Sequence, residues 1–142
     1  MLQTWAYTPH IGGRRIPQDV RERTRNRILA FARKRYHGKY TRIDVRFRGQ
    51  FCYVDAYVEP RVLSRFNAKA YGTSREEYIE RLRNTPVHLC RLRFFSSEER
   101  WTLGYYSYGS DKYEPSVFKN GTFEGTPEEG FEASAGHLRV AN

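Results

Sequence analysis

Across residues 41–59, TRIDVRFRGQFCYVDAYVE, apolar and polar positions alternate on both sides of Gly49 and Gln50. A period of two marks strands, and Gly at the first central position suits a two-residue type II′ hairpin turn. That register sets Arg48 opposite Phe51, Phe47 opposite Cys52, Arg46 opposite Tyr53, Val45 opposite Val54, Asp44 opposite Asp55 and Ile43 opposite Ala56. Side chains alternate across a strand, so the pairs sort onto two faces. One face is core: Ile43, Val45, Phe47, Cys52, Val54, Ala56 and Val58. The other carries Arg42, Asp44, Arg46, Arg48, Phe51, Tyr53, Asp55, Tyr57 and Glu59.

The flanking pattern is helical before the hairpin and mixed after it. Residues 1–16 read as an extended arm ending in a Gly12-Gly13 turn. Pro17 suits a first helical position, and the helix is expected over 17–36, stopping at Gly38. Its apolar stripe is clearest from Ile28 onward, while Arg23, Arg27 and Lys34 fall together on the opposite side. Residues 60–72 read as irregular, with a helical turn near Leu63 to Phe66. Thr73 followed by Glu76 is a capping-box pattern for a second helix that ends before Pro86. Residues 87–95 and 101–108 read as a second hairpin. In its first strand Cys90, Leu92 and Phe94 point one way, Arg91 and Arg93 the other. His88 then falls on the Cys90 side, as a hydrogen-bonded core histidine. If this hairpin joins the first in one sheet, Arg91 and Arg93 share the Asp44/Asp55 face, although strict alternation would bring Val87 and Leu89 with them. Asn120-Gly121 predicts a tight turn pairing Phe118 with Phe123. Thr126-Pro-Glu-Glu129 then caps a last helix running to about Leu138. The expected architecture is one α+β domain spanning residues 1–142. Its antiparallel sheet is built from hairpins with helices on the apolar face, in an αββαββα-like order.

Composition sharpens this picture. Aromatic residues make up 15% of the 142 residues against only 39% hydrophobic overall, so Tyr and Phe must fill much of the interior. The formal net charge is +9, which makes a polyanion the default partner. Residues 1–50 hold 13 basic and 3 acidic side chains, whereas residues 97–142 hold 4 and 8. The cations are chiefly Arg, which favours bidentate phosphate or carboxylate contacts. Two cysteines, Cys52 and Cys90, read as buried thiols of a reducing compartment. No Cys/His spacing matches a zinc site, no cofactor fingerprint is present, and no apolar run is long enough to cross a membrane.

The stretches WAYTPHIGGRRIP, RGQFCYVDAY, RLRNTP, KYEPSVF and GTPEEGF are similar in wording to a family of small uncharacterised bacterial proteins, over nearly the whole chain. The resemblance implies a bacterial source and a cytoplasmic setting. It carries no activity and no functional residues.

Three functions fit the residues. The first is nucleic-acid binding, with RNA or single strands favoured. Arg42, Arg46, Arg48, Arg91 and Arg93 would contact phosphates, Tyr53 and Tyr57 would stack on bases, and Arg23, Arg27 and Lys34 would form a second basic surface. The second is a metal-dependent nuclease or phosphodiesterase, in which Asp44 and Asp55 bind a divalent cation and Glu59 adds a third oxygen. The opposed aspartates need no metal, however, if Arg42 and Arg46 neutralise them, and that arginine ladder ranks first for the pair. The third is a protein–protein adaptor, with self-association as one form of it.

Overall fold

A computed structural model describes residues 12–140, the side chains of 139 and 140 excepted. The expected N-terminal arm lies outside the described residues up to residue 11. The chain builds helix α1 (Gln18–Tyr36), strands β1 (Arg42–Arg48) and β2 (Phe51–Tyr57), and helix α2 (Arg75–Arg83). Strands β3 (Val87–Phe94), β4 (Trp101–Ser107), β5 (Lys112–Ser116) and β6 (Glu124–Gly125) follow, then helices α3 (Pro127–Ser134) and α4 (His137–Val140). The strands form one antiparallel sheet in the order β1-β2-β3-β4-β5, with β6 pairing the start of β4 at Trp101–Gly125. This is the α+β class with helices on the apolar face.

The first hairpin has the register its alternation predicts, from Arg42↔Tyr57 to Arg48↔Phe51. Gly49 takes φ 60°, the left-handed region a type II′ turn requires at that position. Residues 12–16 run past this turn: the Arg14 amide donates to the Phe94 carbonyl and the Ile16 amide to the Gly49 carbonyl, at 2.8 and 2.9 Å. They tie the hairpin tip to the end of β3.

Helices α1 and α3 pack on the same side of the sheet. Val20, Ile28 and Ala32 of α1 and Phe131 of α3 bury against Ile43, Val45, Cys52, Val54, Leu92 and Trp101. Burying each of the Val, Ile, Leu and Phe side chains among them stabilises by about 1.5–3 kcal/mol. Helix α3 opens on the predicted capping box, with Thr126 and Glu129 exchanging side-chain-to-amide bonds. It ends at Ser134, short of the predicted Leu138, and α4 restarts after Gly136.

Four local features differ from the pattern-based reading. The cap of α2 is Ser74, whose hydroxyl accepts from the Glu77 amide, one residue later than Thr73/Glu76. Thr73 instead donates to the Glu77 carboxylate at 2.9 Å, so the S-x-x-E frame wins over T-x-x-E. The Asn120-Gly121 turn pairs Phe118 with Thr122, not Phe123. Gly121 at φ 83° follows the turn as the left-handed residue of a three-residue hairpin loop. Beyond the turn at Leu63–Phe66, a 3-10 turn forms at Ala68–Tyr71. Finally, β5 is an additional strand that tolerates Pro115 because it lies at the sheet edge.

Candidate functional site

The face turned away from α1 and α3 carries the polar half of every alternating pair. Arg42, Asp44, Arg46 and Arg48 come from β1, and Phe51, Tyr53, Asp55 and Tyr57 from β2. Pairing of β2 with β3 sets Arg91 opposite Tyr53 and Arg93 opposite Phe51. Thr102 and Gly104 of β4 continue the same face beside Arg93 and Arg91, and Tyr106 pairs with Tyr113 of β5. The single-sheet arrangement therefore assembles Arg42, Arg46, Arg48, Tyr53, Tyr57, Arg91 and Arg93 on one surface.

One residue joins them against expectation. The β2–β3 register shifts between Val54, opposite Cys90, and Asp55, opposite His88, so Leu89 is an extra, bulged residue. A bulge displaces the alternation by one. Leu89 stays fully buried, Val87 packs against the core, and His88 crosses from the core side to the open face. This corrects the expected core position of His88. The conflict between Arg91/Arg93 and Val87/Leu89 under strict alternation was the sequence signal of the bulge.

His88 lands on Asp55. Its Nδ1 lies 2.9 Å from Asp55 Oδ1, and Arg46 Nη2 donates to Asp55 Oδ2 at 2.9 Å. The Asp55 carboxylate is only 6% exposed, while the imidazole is 29% exposed and the Arg46 side chain 55%. A carboxylate only accepts, so Nδ1 is the donating nitrogen of the imidazole, and in the neutral ring Nε2 is then the acceptor. Among the described residues none hydrogen-bonds Nε2. Rings surround the pair: Tyr106 and Tyr108 lie 4.7 and 6.2 Å from the His88 ring centre, and Tyr113 packs edge-on against Tyr53 and Tyr106 at 5.6 and 5.1 Å. The Tyr113 hydroxyl is buried and has no hydrogen-bond partner among the described residues. Burial, and then the charge of Asp55, hold its pKa well above the usual phenol value.

The other aspartate has its own arginine. Arg42 donates to both Asp44 oxygens at 3.0 and 3.3 Å, and its guanidinium stacks 4.1 Å from the centre of Tyr57. The ladder Arg42–Asp44 and Arg46–Asp55 thus neutralises the opposed carboxylates. Glu59 turns to Arg83, which grips both of its oxygens at 2.7 and 3.0 Å. Among the described residues no group of three or more His, Cys, Asp or Glu converges as a metal site would.

Deeper in the face, Arg91 lies over the rings of Phe51 and Tyr113 at 4.0 and 5.0 Å. Arg93 lies 5.1 Å over Phe95 and donates from Nε to Thr102 Oγ1 at 3.1 Å. Both guanidiniums are buried. Desolvation, and then repulsion from Arg91, bring the pKa of Arg93 down to about 10, still cationic at neutral pH. Arg91 and Arg93 thus form a charged floor, and Arg42, Arg46 and Arg48 an exposed rim.

The helical ridge is used differently. Arg23 binds Glu98 and Asp19, and Arg27 grips Glu128 and Glu99. The bonds to Glu98, Glu99 and Glu128 fasten α1 to the β3–β4 loop and to α3, on the side of the sheet opposite His88. Lys34 is exposed on that same helix.

Fold and face together define an α+β domain with an arginine- and tyrosine-lined open sheet surface around an aspartate–histidine pair. Comparison with protein-family models, curated proteins and solved structures finds no match for the chain. Among the described residues no helix is long and apolar enough to cross a membrane.

Proposed function

We propose that the open sheet face binds single-stranded nucleic acid, with RNA favoured. The observation that carries this reading is the alternation of exposed arginines with half-buried rings on β1 and β2. Arg42, Arg46 and Arg48 form the exposed rim, and Phe51, Tyr53 and Tyr57 present ring surface beside them. Unpaired bases stack on aromatic planes and equally on guanidinium planes such as Arg42 over Tyr57. The phosphates follow the cationic rim, consistent with the net charge of +9. On α1, Arg23 and Arg27 are engaged by acidic partners, and Lys34 stays exposed on the other side of the sheet.

The test is fluorescence anisotropy with a labelled single-stranded RNA across a salt series. Tyr57→Ala should cost roughly 1–3 kcal/mol of affinity. Arg48→Gln should flatten the slope of log K against log salt by about 0.7. Absence of RNA binding at low salt, or full affinity in Tyr57→Ala, refutes the reading.

A further inference from the structure

We infer that His88, oriented by Asp55, is a general base that cleaves the bound RNA strand by transesterification. This rests on the single-strand binding proposed above. Three observations converge on it. The bulge at Leu89 costs the sheet a ladder position and in return delivers an imidazole to the open face, and bulges commonly re-aim side chains beside active sites. Asp55 holds Nδ1 at 2.9 Å, leaving Nε2 of the partly exposed ring as proton acceptor in the neutral form, the relation of orienting group to base that hydroxyl activation requires. Arg46 occupies the second oxygen of the same carboxylate. Base and cation are therefore held side by side, and Arg46 uses one guanidinium nitrogen on Asp55 while its side chain stays half exposed.

The chemistry needs no further reagent. Nε2 of His88 takes the proton of a ribose 2′-hydroxyl as its oxygen forms a bond to the adjacent phosphorus. The bond from phosphorus to the 5′-oxygen breaks, and that oxygen takes a proton from water. His88 returns its proton to solvent. The products are a 2′,3′-cyclic phosphate and a 5′-hydroxyl end. Arg46 faces the charge that builds on the non-bridging oxygens. His88 is the catalytic residue; Asp55 is a positioning residue. DNA lacks the 2′-hydroxyl, so a DNA strand is bound and not cut.

The test incubates the full chain with a labelled single-stranded RNA in excess EDTA and identifies product ends by mass spectrometry. In parallel, anisotropy is measured on the same sequence with 2′-deoxy sugars. Cyclic phosphate ends are expected from the wild type. His88→Gln should slow cleavage by about 10²–10⁴-fold while binding the deoxy strand within about threefold and melting cooperatively. Asp55→Asn should slow cleavage and move the acid limb of the pH–rate profile. Should either variant fail to fold, the wild-type profile decides. Its rate must fall in acid as the imidazole facing Asp55, Arg46, Tyr106, Tyr108 and Tyr113 takes up a proton, and a flat profile overturns the inference. Binding without cleavage, or cleavage undiminished in folded His88→Gln, overturns the inference alone. Failure to bind the deoxy strand or RNA overturns the binding reading beneath it.

Discussion

Replacing Arg27 by Gln separates a phosphate contact from a structural clamp. Arg27 donates from Nε and Nη2 to the two oxygens of Glu128 at 2.8 and 2.7 Å, and reaches Glu99 at 2.6 Å. The Arg27 and Glu128 side chains are 27% and 29% exposed, so their bond is screened less than a surface pair. Hydrogen bonds to charged groups contribute about 1.5–3 kcal/mol when buried, and exposed ion pairs about 0.2–1. The half-buried Glu128 pair falls between these ranges, and the exposed Glu99 adds little. A loss of about 2 kcal/mol is expected, because the variant also leaves Glu128 in place without its cation. At about 2.1 cal/mol/K per residue, the unfolding entropy of this chain is about 0.3 kcal/mol/K, so the melting point should drop by about 7 °C. The pH dependence fixes the mechanism. Burial is the largest single influence and raises the Glu128 pKa, but the hydrogen bond and charge of Arg27, with the Glu128 amide and Thr126, together outweigh it and leave the net shift downward. A lowered folded-state value means the stabilisation is present above the unfolded carboxyl range, near pH 4.3. It is lost as pH falls through the lower folded value. The gap between wild type and Arg27→Gln, read by circular-dichroism melts, should therefore close in acid. A drop under about 2 °C at pH 7, or a salt slope for RNA binding that flattens by about 0.7 in the variant, refutes the clamp and returns Arg27 to the phosphates.

Two further outcomes follow from the packing. Gly13→Ala should lower stability by roughly 1–3 kcal/mol, because the residue sits at φ 95° and a Cβ there would meet the Phe94 carbonyl at 2.6 Å; an unchanged melt would show that the 12–16 segment is not held. Burial raises the pKa of both thiols, that of Cys90 to about 12, so neither should react with an aromatic disulfide reagent at pH 8 until the chain is unfolded in guanidinium; a thiol titrating in the native state would contradict their depth in the core.

How much of this was legible in the sequence depended on whether the signal was local. The first hairpin was fully legible, since a period of two and Gly49 leave a single register that buries Val45 and Val54 together. The capping box at Thr126 was legible for the same reason. The fate of Arg23 and Arg27 was not, because Glu98, Glu99 and Glu128 lie 71 to 101 residues further along the chain. Strand β5 escaped notice because KYEPS has neither apolar alternation nor a proline-free run, and only pairing with β4 makes it a strand. His88 was misplaced by one extra residue, which inverts every inference of sidedness upstream of it.

The bulge makes the two faces of β3 separable under mutation. Cys90, Leu92 and Phe94 keep their register whatever happens before Cys90, so the buried layer is indifferent to chain length at that point. Removing Leu89 alone would restore strict pairing with His88 next to Cys90, still opposite Asp55 on the open face, and Val87 still inward. A single lost codon would thus cost the core one leucine and keep the aspartate–histidine pair. Among divergent copies of such a chain, the histidine would then be expected two residues before the Cys90 position where the bulge is kept and one residue before it where the bulge is lost.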